Sequence, residues 1–333
     1  MKSWIGICTV ASTMAIAAAG MGIEDKDLSS MRGSIAIDGS STVYPITEAV
    51  AEEFAETAPK VRVSVGISGT GGGFKRFCAG ETDISDASRP IKGKEYKLAK
   101  ESKIEFIEVP VAYDGLTIVV NTENDWATDL TVDELKSLFL DGSTIKTWAD
   151  VREGWPEVPV KIYAPGTDSG TFDYFKEVVA GKTGNIRSDM SVSEDDNVLV
   201  RGVSGNKGAI GFFGCAYYFE NKDKLRAVPI DGGKGAISPT RTTIENGTYA
   251  PFSRPLFIYV SKKSMERPEV IEFVDFYLDN AGDLAEEVGY VRLPQGVYSR
   301  AKGNIAKGRT GTQFLDDEGE KISGSLVSVY GTD

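Results

Sequence analysis

Histidine is absent from all 333 residues. Its absence removes Ser-His-Asp and Cys-His nucleophile pairs and every zinc site that needs an imidazole. Cysteine is scarce, with only Cys8, Cys78 and Cys215, so the chain supplies no Cys cluster either. Positive charge is short as well. Lys and Arg number 37 against 49 Asp and Glu, a net charge of −12. That balance argues against a non-specific nucleic-acid binder, whose affinity comes from Lys and Arg neutralising phosphates. Long apolar runs are missing beyond the first twenty residues, so no membrane span is expected in the rest of the chain.

What is present is ordinary for a globular protein: 41% hydrophobic and 26% charged residues. The length suggests about two domains. The opening MKSWIGICTVASTMAIAAAG has the layout of a secretory signal. Lys2 gives a positive start, Ile5 to Ala19 is mainly apolar, and Ala17-Ala18-Ala19 offers a small-residue cleavage site. Residues 1–19 are therefore expected to be removed, leaving an exported, soluble, periplasmic or extracytoplasmic protein. Cys8 sits too early to be a lipidated residue. An oxidising compartment permits a bond between Cys78 and Cys215, but two buried thiols acting as small hydrophobes is the favoured reading.

From residue 33 onward, period-two runs alternate with period-3.6 runs. SIAID (34–38) leads to Ile46, Val50 and Phe54 at helical spacing, and VRVSVGI (61–67) leads to Phe74, Phe77 and Cys78. LTIVVN (116–121), VKIYA (160–164) and PLFIYV (255–260) read as further strands, the second feeding a helix with Phe172, Phe175 and Val179. Repeated strand-turn-helix units imply an α/β protein with helices packed on mixed, mainly parallel sheets.

Three of the turns share one design, in which a strand ends, Gly, Ser and Thr follow, and a helix begins. They are DGSSTVYP (38–45), ISGTGGGFKRF (67–77) and PGTDSGTFDYF (165–175). The first turn of a helix has unpaired N–H groups and partial positive charge, and small residues let an anion approach closely. A single turn of this kind is ordinary N-capping; three together point to an oxyanion pocket. A nucleotide P-loop fails on spacing, since Lys176 stands where the first Gly should precede Gly181-Lys182-Thr183. A nucleophile elbow fails because G-x-S-x-G does not occur. In TDISDASRPI (82–91), Arg89 offers a charged donor fork and Asp86 could accept a hydrogen bond from a ligand that keeps its proton. The bland alternative is a structural Asp–Arg pair.

Several runs together carry a resemblance. DGSSTVYPITEAVAEEF, SVGISGTGGGFKRFCAGETDISDASRPI, PVAYDGLTIVVN, APGTDSGTFDYF, SEDDNVLVRGV, GAIGFFGCAYY and SRPLFIYV resemble the periplasmic phosphate-binding proteins of ABC transporters, the PstS family and its SphX-like branch. The resemblance spans about residues 33 to 300. It implies a two-lobed, hinged fold (type II, Venus-flytrap) that closes on one inorganic phosphate ion, performs no catalysis, and delivers its cargo to a membrane permease. Transferred by position, the first motif offers Ser41, Thr42 and the Val43 backbone. The second offers a hydroxyl from Ser68 or Thr70, and the third Ser169, Gly170 and Thr171. Two departures matter. Pro165 stands where many relatives have Arg, which makes Arg89 the substitute cation and Arg201 a weaker one. Ser88 stands where relatives have the proton-accepting Asp, which leaves Asp86, with Asp168 as a second candidate.

The implied lobes are residues 30–113 with 256–333, and 118–252, with crossings near 110–118 and 252–256. SEDDNVLVRGV (193–203) would either cap the pocket mouth or be a solvated helix start. No cofactor, metal, catalytic residue or nucleic-acid partner is expected, and the protein is expected to be monomeric. The competing readings are a secreted phosphate sensor or surface protein on the same scaffold and, more remotely, a phosphoryl-handling enzyme. The acidic net charge predicts slight electrostatic slowing of anion encounter.

Overall fold

Each strand-turn-helix unit of the pattern packs the apolar stripe of its helix on a sheet. The structure is a computed structural model that describes residues 27–331 apart from Asp168, Lys182 and Glu194. The expected targeting segment, 1–19, lies outside the described residues. The chain opens with β1 (Gly33–Gly39), α1 (Tyr44–Thr57), β2 (Val61–Ile67), α2 (Gly69–Cys78), β3 (Ile84–Ala87), α3 (Gly93–Glu101) and β4 (Phe106–Asn121). It continues through β5 (Leu130–Thr131), α4 (Val132–Phe139), α5 (Trp148–Val151), β6 (Lys161–Pro165), α6 (Gly170–Ala180), β7 (Ser191–Ser193) and α7 (Asp196–Ser204). Next come β8 (Ala209–Gly214), α8 (Cys215–Glu220), β9 (Leu225–Ala227), β10 (Ile230–Asp231), β11 (Ala236–Ile237) and α9 (Arg241–Glu245). It returns through β12 (Ser253–Ser261) to α10 (Pro268–Glu287), α11 (Gln295–Ala306) and α12 (Leu326–Tyr330).

The main sheet has the order β2-β1-β3-β12-β4-β8-β6-β7, with β9 also on β4. β1 runs parallel to β2 and β3, and β6 runs parallel to β7 and β8. The pairs that β12 makes with β3 and β4, and β4 with β8 and β9, are antiparallel. The sheet is therefore mixed, and less dominated by parallel pairs than the repeated units imply. β4 and β12 are the reason, because these two strands pass between the halves instead of closing a β-α-β unit. Residues Phe106–Gly115 of β4 lie on β12, and Leu116–Val120 lie on β8. The stretch PVAYDG, the expected crossing, lies in the middle of one continuous, wholly buried strand. Its Gly115 does not break that strand. A Cβ there would lie 2.8 Å from the Cys215 Sγ, so close packing demands the glycine.

The cores follow the periodicity. Ile46, Val50 and Phe54 of α1 are buried, and Phe54 meets Phe273 of α10 edge-on at 5.3 Å. Phe175 of α6 stacks on Phe212 of β8 with ring centroids 3.9 Å apart. Burying an aromatic side chain of this size contributes roughly 1.5–3 kcal/mol, so these contacts hold α1 against α10 and α6 against β8. Cys78 and Cys215 are free and buried. Among the described residues no helix is long and apolar enough to cross a membrane.

Candidate functional site

The Gly/Ser/Thr turns after β1, β2 and β6 converge where the two halves of the sheet meet. The first is wound around Ser40. Its carbonyl accepts the Val43 and Tyr44 amides at 3.2 and 3.0 Å, and its hydroxyl accepts the Thr42 amide at 3.2 Å. Pro45 in the first turn of α1 suits a helix start, where a missing N–H costs nothing. Val43 is fully buried, so only its backbone belongs to the turn's surface. Ser169 caps α6 by accepting the Thr171 amide at 3.2 Å.

A cleft of about 740 Å³ opens beside these turns and takes in Ser41, Thr42, Thr70, Ser88 and Arg89. A second cavity, of about 350 Å³, shares Ser41 and adds Pro165, Ser169, Gly170 and Thr171. The turns touch between the two. A Cβ on Gly170 would lie 3.0 Å from the Thr42 Cα, so α6 starts directly against the first turn. Of the two hydroxyls left open by the glycine run, Thr70 faces the cleft, 3.1 Å from the Ser88 hydroxyl. The Ser68 hydroxyl instead donates to the Asp38 carboxylate, which also pairs with Arg76.

The structure does not bring every candidate to the cleft. Asp86 lies within β3, and it lines neither cavity. Its side chain is buried without a hydrogen-bond partner that meets normal geometry, and burial pushes its carboxyl up to about 8. Its backbone carbonyl still anchors the first turn by accepting the Ser40 amide at 3.0 Å. Arg89 lines the cleft, but its guanidinium is gripped by both Glu95 oxygens, at 2.8 and 2.7 Å. Arg201 is exposed on α7 and lines neither cavity. Asp168 lies outside the described residues. In SEDDNVLVRGV both readings meet: Asp195 caps α7, and Asp196 lines the second cavity.

The cation best placed at the junction is one the sequence reading passed over. Arg254, near the start of β12, is 16% exposed and reaches β4, the first turn and α6. Its Nε donates to Asp114 Oδ2 at 3.1 Å, and its Nη2 donates to the Thr42 hydroxyl at 3.1 Å. Its plane lies over the Tyr174 ring at 3.6 Å, and Glu177 is 4.0 Å away. Tyr174 is itself tethered by its hydroxyl to the Pro251 carbonyl at 2.6 Å. Burial raises the Asp114 carboxyl above its ordinary range, and the neighbouring guanidinium opposes that shift. The signal was available in SRPLFIYV: a charged residue at the edge of an apolar strand needs a partner. A fixed guanidinium, hydroxyls and helix N-termini together form a donor set for a small oxyanion.

A family model described as the PBP superfamily domain matches residues 27–281. The chain is 49% identical to protein SphX of Synechococcus elongatus over 305 residues, covering 91% of this chain and 89% of that protein. It is 40% identical to the phosphate-binding protein PstS of Staphylococcus haemolyticus over 309 residues, covering 90% and 95% of the two chains. Among solved structures, a possible phosphate-binding protein from Planctomyces limnophilus superposes with a TM-score of 0.81 at 48% identity. That match covers 84% of this chain and all of the other. The fold is the two-lobed type II binding-protein fold.

Proposed function

The chain belongs to the PBP superfamily, among the SphX and PstS phosphate-binding proteins, and from that membership we propose that it captures inorganic phosphate outside the cytoplasm for an ABC transporter permease. The observation that carries the reading is Arg254, which links the α1 turn through Thr42 to α6 through Tyr174. An ion in the cleft beside it would meet the Thr42, Thr70 and Ser88 hydroxyls, while the Ser169–Thr171 turn lines the adjoining cavity on the other side of the Thr42–Gly170 contact. Neutral donors and one guanidinium hold an anion because they act at contact distance, whereas salt screens the net charge beyond ~8 Å. The ion is carried unchanged, with no catalytic step.

The lobes of this reading are residues 30–113 with 256–333, and 118–252. The exchange of partners along β4 at Gly115 and Leu116 supports that division, as does the register shift of β12 at Leu256 and Phe257. Bending there would close the halves over the ion. Discrimination against sulfate needs an acceptor for the proton that phosphate retains. Asp114 fits that role, with a buried carboxyl on Arg254 and an opening to the second cavity. The deciding experiment is calorimetric titration with phosphate and with sulfate at two pH values. Micromolar or tighter phosphate binding with much weaker sulfate binding is expected. No heat with phosphate, or equal affinities, would overturn the proposal.

A further inference from the structure

The cleft carries positive charge beyond Arg254. Arg89, Lys176, Arg254 and Lys321 line it, against Asp173 and Glu177. Arg89 and Arg254 are paired, to Glu95 and Asp114. Lys176 and Lys321 have no ion-pair partner among the described residues. Lys321 is unusual in origin, since it comes from the chain's last segment, more than two hundred residues beyond the Gly/Ser/Thr turns of the first half.

That segment is tied down firmly. The Gly311 amide donates to the Phe106 carbonyl at 2.9 Å, the Thr312 hydroxyl to Glu108 Oε2 at 2.6 Å, and the Gln313 amide to Glu108 Oε1 at 3.1 Å. Phe314 packs edge-on against Phe257 of β12 at 5.4 Å. Leu315 and Lys321 then pair across a short turn whose Gly319 carbonyl presses on Gly93, leaving no room for a Cβ there. Lys321 is therefore held in a fixed relation to α3 and to the Arg89 side of the cleft, while Lys176 faces the same space from α6.

We propose that Lys321 is a capture residue: its unpaired ammonium, presented by the C-terminal turn, draws the phosphate anion into the cleft of an otherwise acidic protein. The role rests on the phosphate-binding reading above and adds a residue to it. Lys321 is exposed where it lines the cleft, and a local cation at such an entrance acts on the association rate even where net charge opposes approach. An ammonium at the mouth, away from the closed donor set, has little effect on release.

The test is stopped-flow fluorescence with inorganic phosphate over a series of salt concentrations. The proteins compared are the unaltered chain, Lys321→Ala, Lys321→Arg and, as a control, Lys136→Ala on α4. Lys321→Ala is expected to slow association about two- to fivefold at low salt, to flatten its salt dependence, and to leave dissociation unchanged. Lys321→Arg should restore the rate, and Lys136→Ala should change nothing. An unchanged association rate and salt dependence in Lys321→Ala overturns the capture role, as does an effect confined to dissociation. Absence of any calorimetric response to phosphate in the unaltered protein instead overturns the underlying reading, and the capture role with it.

Discussion

Gly170→Ala separates closure from folding. Gly170 is the first residue of α6 and its φ lies outside the left-handed region, so an alanine there meets no backbone strain. Nothing local therefore opposes the change. Across the junction, however, the new Cβ would sit 3.0 Å from Thr42 Cα, 3.2 Å from its Oγ1 and 3.3 Å from its amide nitrogen. Comfortable carbon contacts lie at about 3.5–4.0 Å, and Thr42 cannot easily yield because Arg254 holds its hydroxyl. Overpacking of this kind costs about 1–3 kcal/mol, which converts to roughly 5- to 150-fold in affinity. The strain vanishes if the halves part. Calorimetric titration should then show phosphate affinity reduced by that factor, while the melting temperature without ligand stays within a few degrees of the unaltered protein. Affinity within twofold of the unaltered protein would refute the reasoning, since the contact would then be absent from the bound state. A fall in ligand-free stability as large as the loss of affinity would refute it differently, by making the strain a cost of folding.

Arg254→Met should weaken phosphate binding by more than a hundredfold and destabilise the fold by about 3–5 kcal/mol, because Asp114 is left buried and unpaired. Adding Asp114→Asn should recover most of the melting temperature and none of the affinity; recovered affinity would make Arg254 purely structural. Asp86→Asn should leave phosphate-over-sulfate selectivity unchanged, since the carboxyl lines neither cavity. Its effect should be on stability against pH. The folded carboxyl is pushed up to about 8 from an unfolded value near ~3.9, so its contribution is complete below ~4 and is lost as pH rises towards 8. Asp86 contributes at most about 1.4 kcal/mol per pH unit, and Glu108, which burial pushes up to about 7, adds up to as much again below that pH. Denaturant melts from pH 4 to 9 should show a flatter decline in Asp86→Asn; an equally steep one removes Asp86 as a cause. For the thiols, burial pushes Cys78 up to about 11 and Cys215 to about 12, so alkylation at pH 8 should label peptides carrying them only after denaturation. Labelling in the native protein, or a bond between them, would contradict this.

Local periodicity sufficed wherever a structure depends on neighbours in the chain. β2 begins and ends where VRVSVGI does, and Ile46, Val50 and Phe54 are buried together on α1. The Gly/Ser/Thr turns were legible for the same reason, since a helix start carries its own chemistry. Errors of extent arose where the tertiary partner decides. LTIVVN reads as a strand from residue 116, yet Cys215 fills the space beside Gly115 and β4 runs unbroken from Phe106 to Asn121. Asp86 reads as an acceptor for a ligand's proton, yet β3 extends far enough to carry it into the core.

The charges at the site were least legible, and for a physical reason. A guanidinium near an anion is effective only if its own surroundings fix it, and those surroundings are assembled from distant residues. Arg89 sits beside a promising motif, but Glu95, six positions on in the chain, satisfies it. Arg254 lies 140 residues from Asp114 and 212 from Thr42, so nothing adjacent to it in sequence reports its neighbours. Only the crossing of β4 and β12 brings them together. That crossing is also where the fold would bend. Bending would move Thr42 and Tyr174 apart while Arg254 can keep Asp114, its partner on the adjoining strand. The ion pair on the paired strands is then the fixed point, and the Thr42 and Tyr174 contacts are those that closure makes. It follows that Arg254→Lys, which keeps the charge but not the planar fork, should preserve much of the stability while weakening closure. Phosphate affinity should drop about tenfold or more with a melting temperature close to that of the unaltered protein. Equal losses in both, measured by titration and melting of the same preparation, would mean that the guanidinium serves the two strands alone.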